Sequence, residues 1–347
     1  MDRLRAVVYL TVLLVVCGWL LSVGKDIFVP AVLGAVIVYI IVGIAQTLGR
    51  LPLIGRALPV QLRYLFSIIV IGIALTLLAY LVMSNKERAL ALAPEYQQSL
   101  LASIQRMAVY FGIETEPTWA TLREELVGRI NLQRLFGSFL SSTGSILMSF
   151  VVALMYAVFL LAERRVFEAK LSNLSEDPRQ VARIRAVIVT INQRIGSYLA
   201  LKTLLSVLLA LISYVVMRIY DLEFAALWAV LIALLNFVPY VGSVLGVVFP
   251  VLMALVQFAD PGMVVQLLLV LSAVQFGIGN FLDPYVMSSS LNLSPFAILV
   301  SLAIWSELWG IPGAFLAVPI TAIITIVLSE FSGTRPLAVL LSRRGEV

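Results

Sequence analysis

Five polar side chains lie in stretches of this chain that are otherwise apolar enough to sit in a lipid bilayer. They supply two carboxylates, two amides and one hydroxyl, and they belong to Asn236, Ser243, Asn280, Asp283 and Glu307. Such groups can hydrogen-bond a small polar solute, bind a monovalent cation or exchange a proton, and polar groups at membrane depth are costly. We therefore predict that these residues bind the substrate or ion, with Asp283 as the first candidate.

Helix-breaking residues accompany these side chains. In membrane transporters an interrupted backbone is tolerated only where it is packed in protein or lines a cavity, and such interruptions commonly form binding sites. We predict that seven of these residues act as hinges or hairpin turns: Pro239, Gly242, Pro284, Gly310, Pro312, Gly313 and Pro319.

Each candidate also has a plainer structural role. Asp283 beside Pro284 is compatible with a helix cap or a loop entry at the membrane surface. Glu307 lies at a turn, where it faces either a site or water. The glycines equally serve close helix packing, as small residues do in membranes. Both interpretations stay open at this stage.

The composition is that of an integral membrane protein. Of 347 residues 61% are hydrophobic and only 12% are charged, with a mean hydropathy of +1.05, whereas soluble domains carry about 25% charged residues. The net charge is +5, but the basic residues are dispersed through loops. This distribution follows the positive-inside rule and predicts no nucleic-acid partner.

The usual catalytic and metal-binding residues are scarce. The chain has no histidine and a single cysteine, Cys17, which excludes histidine bases, internal disulfides and cysteine metal clusters. It also lacks the Gly-x-x-x-x-Gly-Lys motif that cradles phosphates. We expect no enzyme activity, no catalytic residues, no metal site and no cofactor.

Charge-free runs long enough to cross a bilayer predict an all-α, polytopic membrane protein with about six full spans. The clearest runs are residues 6–23, 27–48, 64–85, 135–162 and 261–282. A shorter run, residues 203–217, extends back toward Ile195 with Lys202 and Arg218 snorkelling to the membrane surfaces.

Two further apolar segments are interrupted, and we name them the first and second hairpins. The first covers residues 224–259 and is broken at 236–243; the second covers residues 296–328 and is broken at 306–313. The flanking arms are shorter than the roughly 17 residues that a span needs. This pattern predicts interrupted or re-entrant helical hairpins.

The charged regions complete the organisation. Residues 86–134 are charge-balanced, with an amphipathic helix near residues 100–111 and a second helix from Thr118, which indicates a small helical extracytoplasmic cap. We predict this division: the first three spans in 1–85, the cap in 86–134, the fourth span in 135–162, a cytoplasmic connector with an amphipathic helix in 163–202, a transport core in 203–330 and a cytoplasmic tail in 331–347.

The distribution of basic residues predicts the orientation. With both termini in the cytoplasm, the inside segments carry about twice as many Lys and Arg residues as the outside segments. The connector, with its excess of basic residues, is then suited to contact anionic membrane lipid.

Several motifs resemble the autoinducer-2 exporter family of bacterial membrane proteins. Their order and spacing carry the resemblance over almost the whole chain, and they occupy residues 197–202, 236–243, 279–287, 291–295, 310–313 and 317–319. The resemblance implies export of small solutes, in some members the quorum-sensing furanone autoinducer-2 (AI-2) and in others sodium in exchange for protons. It also implies a homo-oligomer, with a pentamer as the candidate assembly.

Three functional hypotheses follow. The leading one is a secondary transporter of the bacterial cytoplasmic (inner) membrane that exports a small polar solute, such as an AI-2-like signalling molecule. A sodium/proton antiporter with Asp283 or Glu307 as the exchanging carboxylate is the alternative within transport. A membrane scaffold or sensor that acts through its extracytoplasmic cap is the alternative from another class.

Overall fold

The computed structural model describes residues 2–50, 58–110, 132–258, 260–283 and 291–346. Ten α-helices and a short π-helix account for nearly all of these residues. In chain order the α-helices are α1 (Asp2–Val23), α2 (Lys25–Arg50), α3 (Val60–Tyr110), α4 (Leu132–Ser172), α5 (Pro178–Ile219), α6 (Ala225–Leu235), α7 (Val241–Phe258), α8 (Pro261–Phe276), α9 (Pro295–Ser329) and α10 (Arg335–Leu341). The π-helix, Gly277–Leu282, continues α8.

Within the described ranges, six helical segments are long and apolar enough to cross a membrane. They are Lys25–Gly49, Val60–Asn85, Pro178–Ile219, Val241–Phe258, Pro261–Leu282 and Pro295–Ser329. Many large apolar side chains are exposed on these helices, including Leu77, Leu211 and Leu269, as expected where lipid rather than water is the solvent. The prediction of an all-α, polytopic membrane protein is confirmed.

The chain divides into two compact units. The first unit comprises Met1–Gly72, Met148–Thr203 and Met287–Val347. Small residues let its helices approach closely: a Cβ added at Gly34 of α2 would lie 2.9 Å from the carbonyl oxygen of Ala153 in α4. Tyr39 of α2 also donates a hydrogen bond of 2.7 Å from its hydroxyl to Asn192 Oδ1 of α5.

The second hairpin lies in this first unit and corresponds to α9. Its backbone departs from helical geometry at Gly310, with φ 64° and ψ −141°. Helix α10 packs against α9 and buries Ala338. The chain after α10 is held beside the start of α9, because Ser294 N–H donates to the carbonyl oxygen of Leu341 at 2.8 Å.

The second unit comprises Ile73–Leu147 and Leu204–Val286 and contains the first hairpin, formed by α6 and α7. Its apolar core includes Leu209 and Met217 of α5, Trp228 and Ile232 of α6, Ala254 of α7 and Leu267 of α8. The indole ring of Trp228 stacks on the ring of Phe249, with centroids 6.4 Å apart. This core packs α5 and α8 against the hairpin.

The arms of the hairpins differ in length from the prediction. The second arm of the first hairpin begins at Val241 and has 18 residues, which is long enough to span. The prediction that this arm is too short is therefore wrong. In the second hairpin, residues 306–309 are helical and only Gly310 interrupts the helix. Ser306 remains helical because no helix breaker precedes Gly310, and Pro312 falls in the first turn of the new arm, where proline is tolerated.

One other expectation was wrong. Lys202 does not snorkel to the surface, because its side chain is only 7% exposed. The amphipathic segment expected near residue 100 is helical, and it forms the end of α3, which runs unbroken to Tyr110. The second cap helix, predicted from Thr118, lies outside the described residues.

The indole of Trp309, directly before the break in α9, fixes the second hairpin to α1. Its Nε1–H donates to the carbonyl oxygen of Leu21 at 2.9 Å. We expect Trp309→Phe to lose about 1 kcal/mol of stability, the value of one hydrogen bond, and to lower the apparent Tm measured by circular dichroism in detergent. Trp305→Phe is the control, since Trp305 contacts the ring of Trp309. Equal losses in both variants would contradict the role of the hydrogen bond.

Candidate functional site

The first hairpin turns around a buried amide. Asn236 follows the last residue of α6 and is only 7% exposed, and its Nδ2 donates a hydrogen bond of 2.9 Å to Ser206 Oγ of α5, which is 2% exposed. A buried amide or hydroxyl without a partner is costly. The two side chains therefore stabilise each other among apolar neighbours.

The backbone of this turn requires glycine at one position. Pro239 and Tyr240 reverse the chain, with Tyr240 in the left-handed region at φ 61°. A Cβ at Gly242 would then lie 1.8 Å from the carbonyl oxygen of Leu235, a distance that no real Cβ adopts. We call residues 236–243 the first tip. The break predicted from the sequence at these residues is a tight helical reversal.

A second buried amide lies across the start of α7. Gln275 of α8 is 8% exposed, and its Nε2 donates a long hydrogen bond of 3.4 Å to the carbonyl oxygen of Ser243. A Cβ at Gly246 would lie 2.8 Å from that nitrogen, so glycine makes room for the amide. The first tip is thus contacted by polar side chains from α5 and from α8.

The first tip is far from the open end of the hairpin. An α-helix rises 1.5 Å per residue. Ser206 therefore lies about 20 Å along α5 from Ile219, the last residue of that helix. Gln275 lies about 21 Å along α8 from Pro261, the first residue of that helix. Both distances correspond to about two thirds of a 30 Å hydrocarbon core. The tip therefore places amides, a hydroxyl and backbone carbonyls deep in an apolar unit.

Asn280 and Asp283 follow on the π-helix that continues α8. Asn280 is exposed, and Asp283 is half-buried directly after the last π-helical residue, Leu282. π-Helical turns are rare and occur often at functional sites. Pro284, predicted as a hinge, lies outside the described residues.

Glu307 lies in the other unit and does not belong to the first tip. Its side chain is exposed, in the last turn of the first arm of α9. Gly310 adopts φ 64°, and a Cβ at Gly313 would lie 1.8 Å from the carbonyl oxygen of Trp305. We call residues 305–313 the second tip. Pro312 is half-buried there, whereas Pro319 lies buried farther along the second arm.

The two tips share one geometry. In each, a residue with positive φ is followed two or three positions later by a glycine whose missing Cβ admits a carbonyl oxygen from the preceding arm. Of the five predicted site residues, Asn236, Ser243, Asn280 and Asp283 fall in the unit of the first tip. Two pockets in the other unit, one beside Arg194 and one beside Glu330, are lined by none of the five.

Sequence reasoning missed two residues of the site, Ser206 and Gln275. The signal that could have found them is a polar residue inside an apolar, membrane-length segment. Within the described ranges there is no group of three or more Cys, Asp or Glu side chains that could hold a metal ion.

Comparisons with known proteins agree with this architecture. A model of the AI-2E family transporter matches residues 9–333. The AI-2 transport protein TqsA of Escherichia coli is 29% identical over 352 residues, covering 99% of this chain and 96% of TqsA.

Two other relatives match less of the chain. The protein YhhT of E. coli is 28% identical over 283 residues, covering 79% of this chain and 77% of YhhT. A protein of Borreliella burgdorferi is 35% identical over 194 residues, covering 56% of this chain and 53% of that protein. Since the family model covers most of its length and a relative aligns from end to end, the chain belongs to the AI-2E family of transporters.

Proposed function

We propose that this membrane transporter exports a small polar solute of the AI-2 type across the bacterial cytoplasmic membrane, and that the first tip binds the solute. The buried hydrogen bond between Asn236 and Ser206 is the observation that carries the proposal. A hydroxyl-rich solute can exchange its own hydrogen bonds for this one. Because a neutral hydrogen bond contributes only about 1 kcal/mol net, the exchange is easily reversible, as transport requires.

The geometry of the tip supports a moving element. A turn with a left-handed residue and a tightly packed glycine joins two rigid helices, so the hairpin can shift as one body about its open end. Asn280 on the π-helix and Asp283 directly after it would contact the solute from the end of α8. The name of TqsA, an AI-2 transport protein with 29% identity over 99% of this chain, supports AI-2 as the first solute to test.

The orientation and the assembly are part of the proposal. The bias of basic residues supports cytoplasmic termini, which would make the first hairpin re-entrant from the outside. The exposed apolar faces of α1 and α3 are suited to lipid and to neighbouring copies in a homo-oligomer, with a pentamer as the candidate. None of the relatives named above carries a name that supports sodium/proton exchange or a scaffold.

Reconstitution tests the function. We expect liposomes containing the protein to release AI-2 at least ten times faster than empty liposomes, without dependence on a sodium gradient, as measured by a reporter strain. Asp283→Asn should reduce the rate while leaving proton flux unchanged. Sodium-driven proton flux that Asp283→Asn abolishes, together with no AI-2 release, would overturn the proposal in favour of the antiporter.

A further inference from the structure

The backbone that enters the first hairpin is strained. Among the described residues, three non-glycine residues have positive φ, and all three lie in or beside this hairpin: Asp221 at 50° and Phe224 at 57° at its open end, and Tyr240 at the tip. A left-handed conformation costs a bulky residue such as Phe224 roughly 1–2 kcal/mol, and it costs an aspartate such as Asp221 less. Contacts at the open end must therefore hold the linker between α5 and α6 in this shape.

Backbone hydrogen bonds hold the start of the linker to α5, from Leu222 N–H to Met217 O at 2.9 Å and from Asp221 N–H to Arg218 O at 3.1 Å. One side chain joins the linker to α7. Gln257, near the end of α7, accepts a hydrogen bond of 2.8 Å at Oε1 from the backbone N–H of Glu223. Its Nε2 also donates a hydrogen bond of 2.9 Å to the backbone carbonyl oxygen of Asp221. The primary amide thus pairs with the linker as a neighbouring peptide group would, and it joins the end of one arm to the start of the other.

A charged pair adds a weaker contact from α3. Arg88 forms a salt bridge of 3.2 Å with Glu223, and its guanidinium lies 5.9 Å from the ring centroid of Phe224. The Arg88 side chain is 64% exposed, and exposed ion pairs contribute little to stability. The Gln257 amide is therefore the principal side-chain clamp between the linker and α7.

We propose that Gln257 is a positioning residue, which sets the conformation of the first tip by clamping the strained linker at the open end of the hairpin. The arms α6 and α7 are joined covalently only at the tip. The clamp joins them again at the opposite end. When it opens, the linker can relax to negative φ, and α6 then changes its orientation against α7. Since the helices are rigid, the change reaches the tip about 20 Å away.

This inference rests on the proposed function only where it regards the first tip as the solute site, and its test needs no solute.

Cys17 is the single cysteine, so Cys17→Ser allows one thiol to be placed at the tip by Ser243→Cys. The rate at which a small water-soluble thiosulfonate labels this thiol in liposomes reports the tip conformation. The parent here is the protein with Cys17→Ser and Ser243→Cys, and Gln257→Glu and Gln257→Leu are added to it. At each pH the labelling rate of the variant is divided by that of the parent, which removes the pH dependence of the thiol reaction itself.

The pH profile separates clamping from packing. In Gln257→Glu the ionised carboxylate accepts from Glu223 N–H but cannot donate to Asp221, whereas a protonated carboxyl does both. We expect the Gln257→Glu labelling rate to differ at least threefold from the parent at pH 7.5 and to return toward the parent rate near pH 4.5. Gln257→Leu should differ at every pH, and Gln61→Glu, an exposed position in the other unit, should match the parent throughout.

Relief of strain provides a second test. Asp221→Gly should move the labelling rate of Gln257→Leu toward the parent rate, because glycine adopts positive φ without strain while Phe224 remains strained. Parent-like rates in both Gln257 variants would overturn the proposal. So would a Gln257→Glu rate that differs from the parent equally at both pH values, since loss of packing alone predicts no recovery.

Discussion

Alanine at Gly242 is expected to prevent the first hairpin from closing. The added methyl would lie 1.8 Å from the carbonyl oxygen of Leu235, so the backbone of the turn would have to move by more than about 1 Å to reach van der Waals separation. Overpacking of this kind typically costs about 1–3 kcal/mol and more where backbone is the obstacle, so we expect a loss of at least about 3 kcal/mol. Size-exclusion chromatography should show little monodisperse protein. Gly313→Ala should behave alike, because its methyl would meet the carbonyl oxygen of Trp305 at the same distance.

Gly72→Ala is the matched control for these variants. No atom lies within 4 Å of a Cβ at Gly72 inside α3, and alanine favours helix over glycine by up to about 1 kcal/mol. Its yield and apparent Tm should equal or exceed those of the parent. Similar yields from Gly242→Ala and Gly72→Ala would show that the tight reversal at the tip is not needed.

Transport should depend on the buried pair at the first tip more than on any other polar contact among the described residues. We expect Asn236→Leu to lower the initial rate of AI-2 release from liposomes at least tenfold, because it removes both hydrogen-bonding groups of the amide with little change in volume. Ser206→Ala should lower the rate less, since the Asn236 amide remains. Each variant leaves the other side chain buried without this hydrogen bond, so we expect a stability loss of about 1–3 kcal/mol. Transport rates are therefore compared per amount of folded protein in the liposomes.

A serine on the same helix provides the control for this effect. Ser213 of α5 is also buried, at 1% exposure, but it lies two turns from Ser206, toward the open end of the hairpin. Ser213→Ala should transport at the parent rate. If Ser213→Ala and Ser206→Ala were equally impaired, or if Asn236→Leu were fully active, the first tip would not be the solute site.

Hydropathy and helix breakers predicted much of the architecture because both act locally. Runs of apolar residues identified the membrane-length helices, and Pro239 with Gly242 identified the first tip. Gly310 likewise identified the second tip, but the predicted break was too long. The helix continues through Ser306 and Trp309, and only Gly310 leaves helical geometry. A glycine or proline marks where a helix can break, whereas the length of the break depends on the packing around that residue.

The partners of the predicted residues could not be found in the same way. Ser206 and Gln275 meet the first tip from helices that are distant in sequence, and a single apolar run does not reveal which face of a helix is buried. The clamp made by Gln257 joins residues 34 and 36 positions apart, which no local pattern encodes. The π-helix at Gly277–Leu282 was also missed, although its two glycines mark it as a weak point in α8.

The two tips share a backbone geometry but little sequence, because this geometry constrains few residues. What recurs is a backbone geometry, a positive φ followed by a glycine against a carbonyl oxygen, and it constrains only a few residues. Tyr240 takes the left-handed position in one tip and Gly310 takes it in the other. The polar side chains are free to differ, so that Asn236 is buried in one tip while Glu307 is exposed near the other.

The most direct test of the account compares two neighbouring cysteines at the first tip. In the Cys17→Ser protein in liposomes, Ser243→Cys should react with a small water-soluble thiosulfonate, because the polar tip is solvated for its solute. Val244→Cys should react at least ten times more slowly, since Val244 is 62% exposed beside the exposed apolar residues Val241 and Val248, a surface that we expect to face lipid. Equal, fast labelling of both would place the tip in bulk water, and an unreactive Ser243→Cys would show that no aqueous path reaches it; either result would contradict a solute site at this depth.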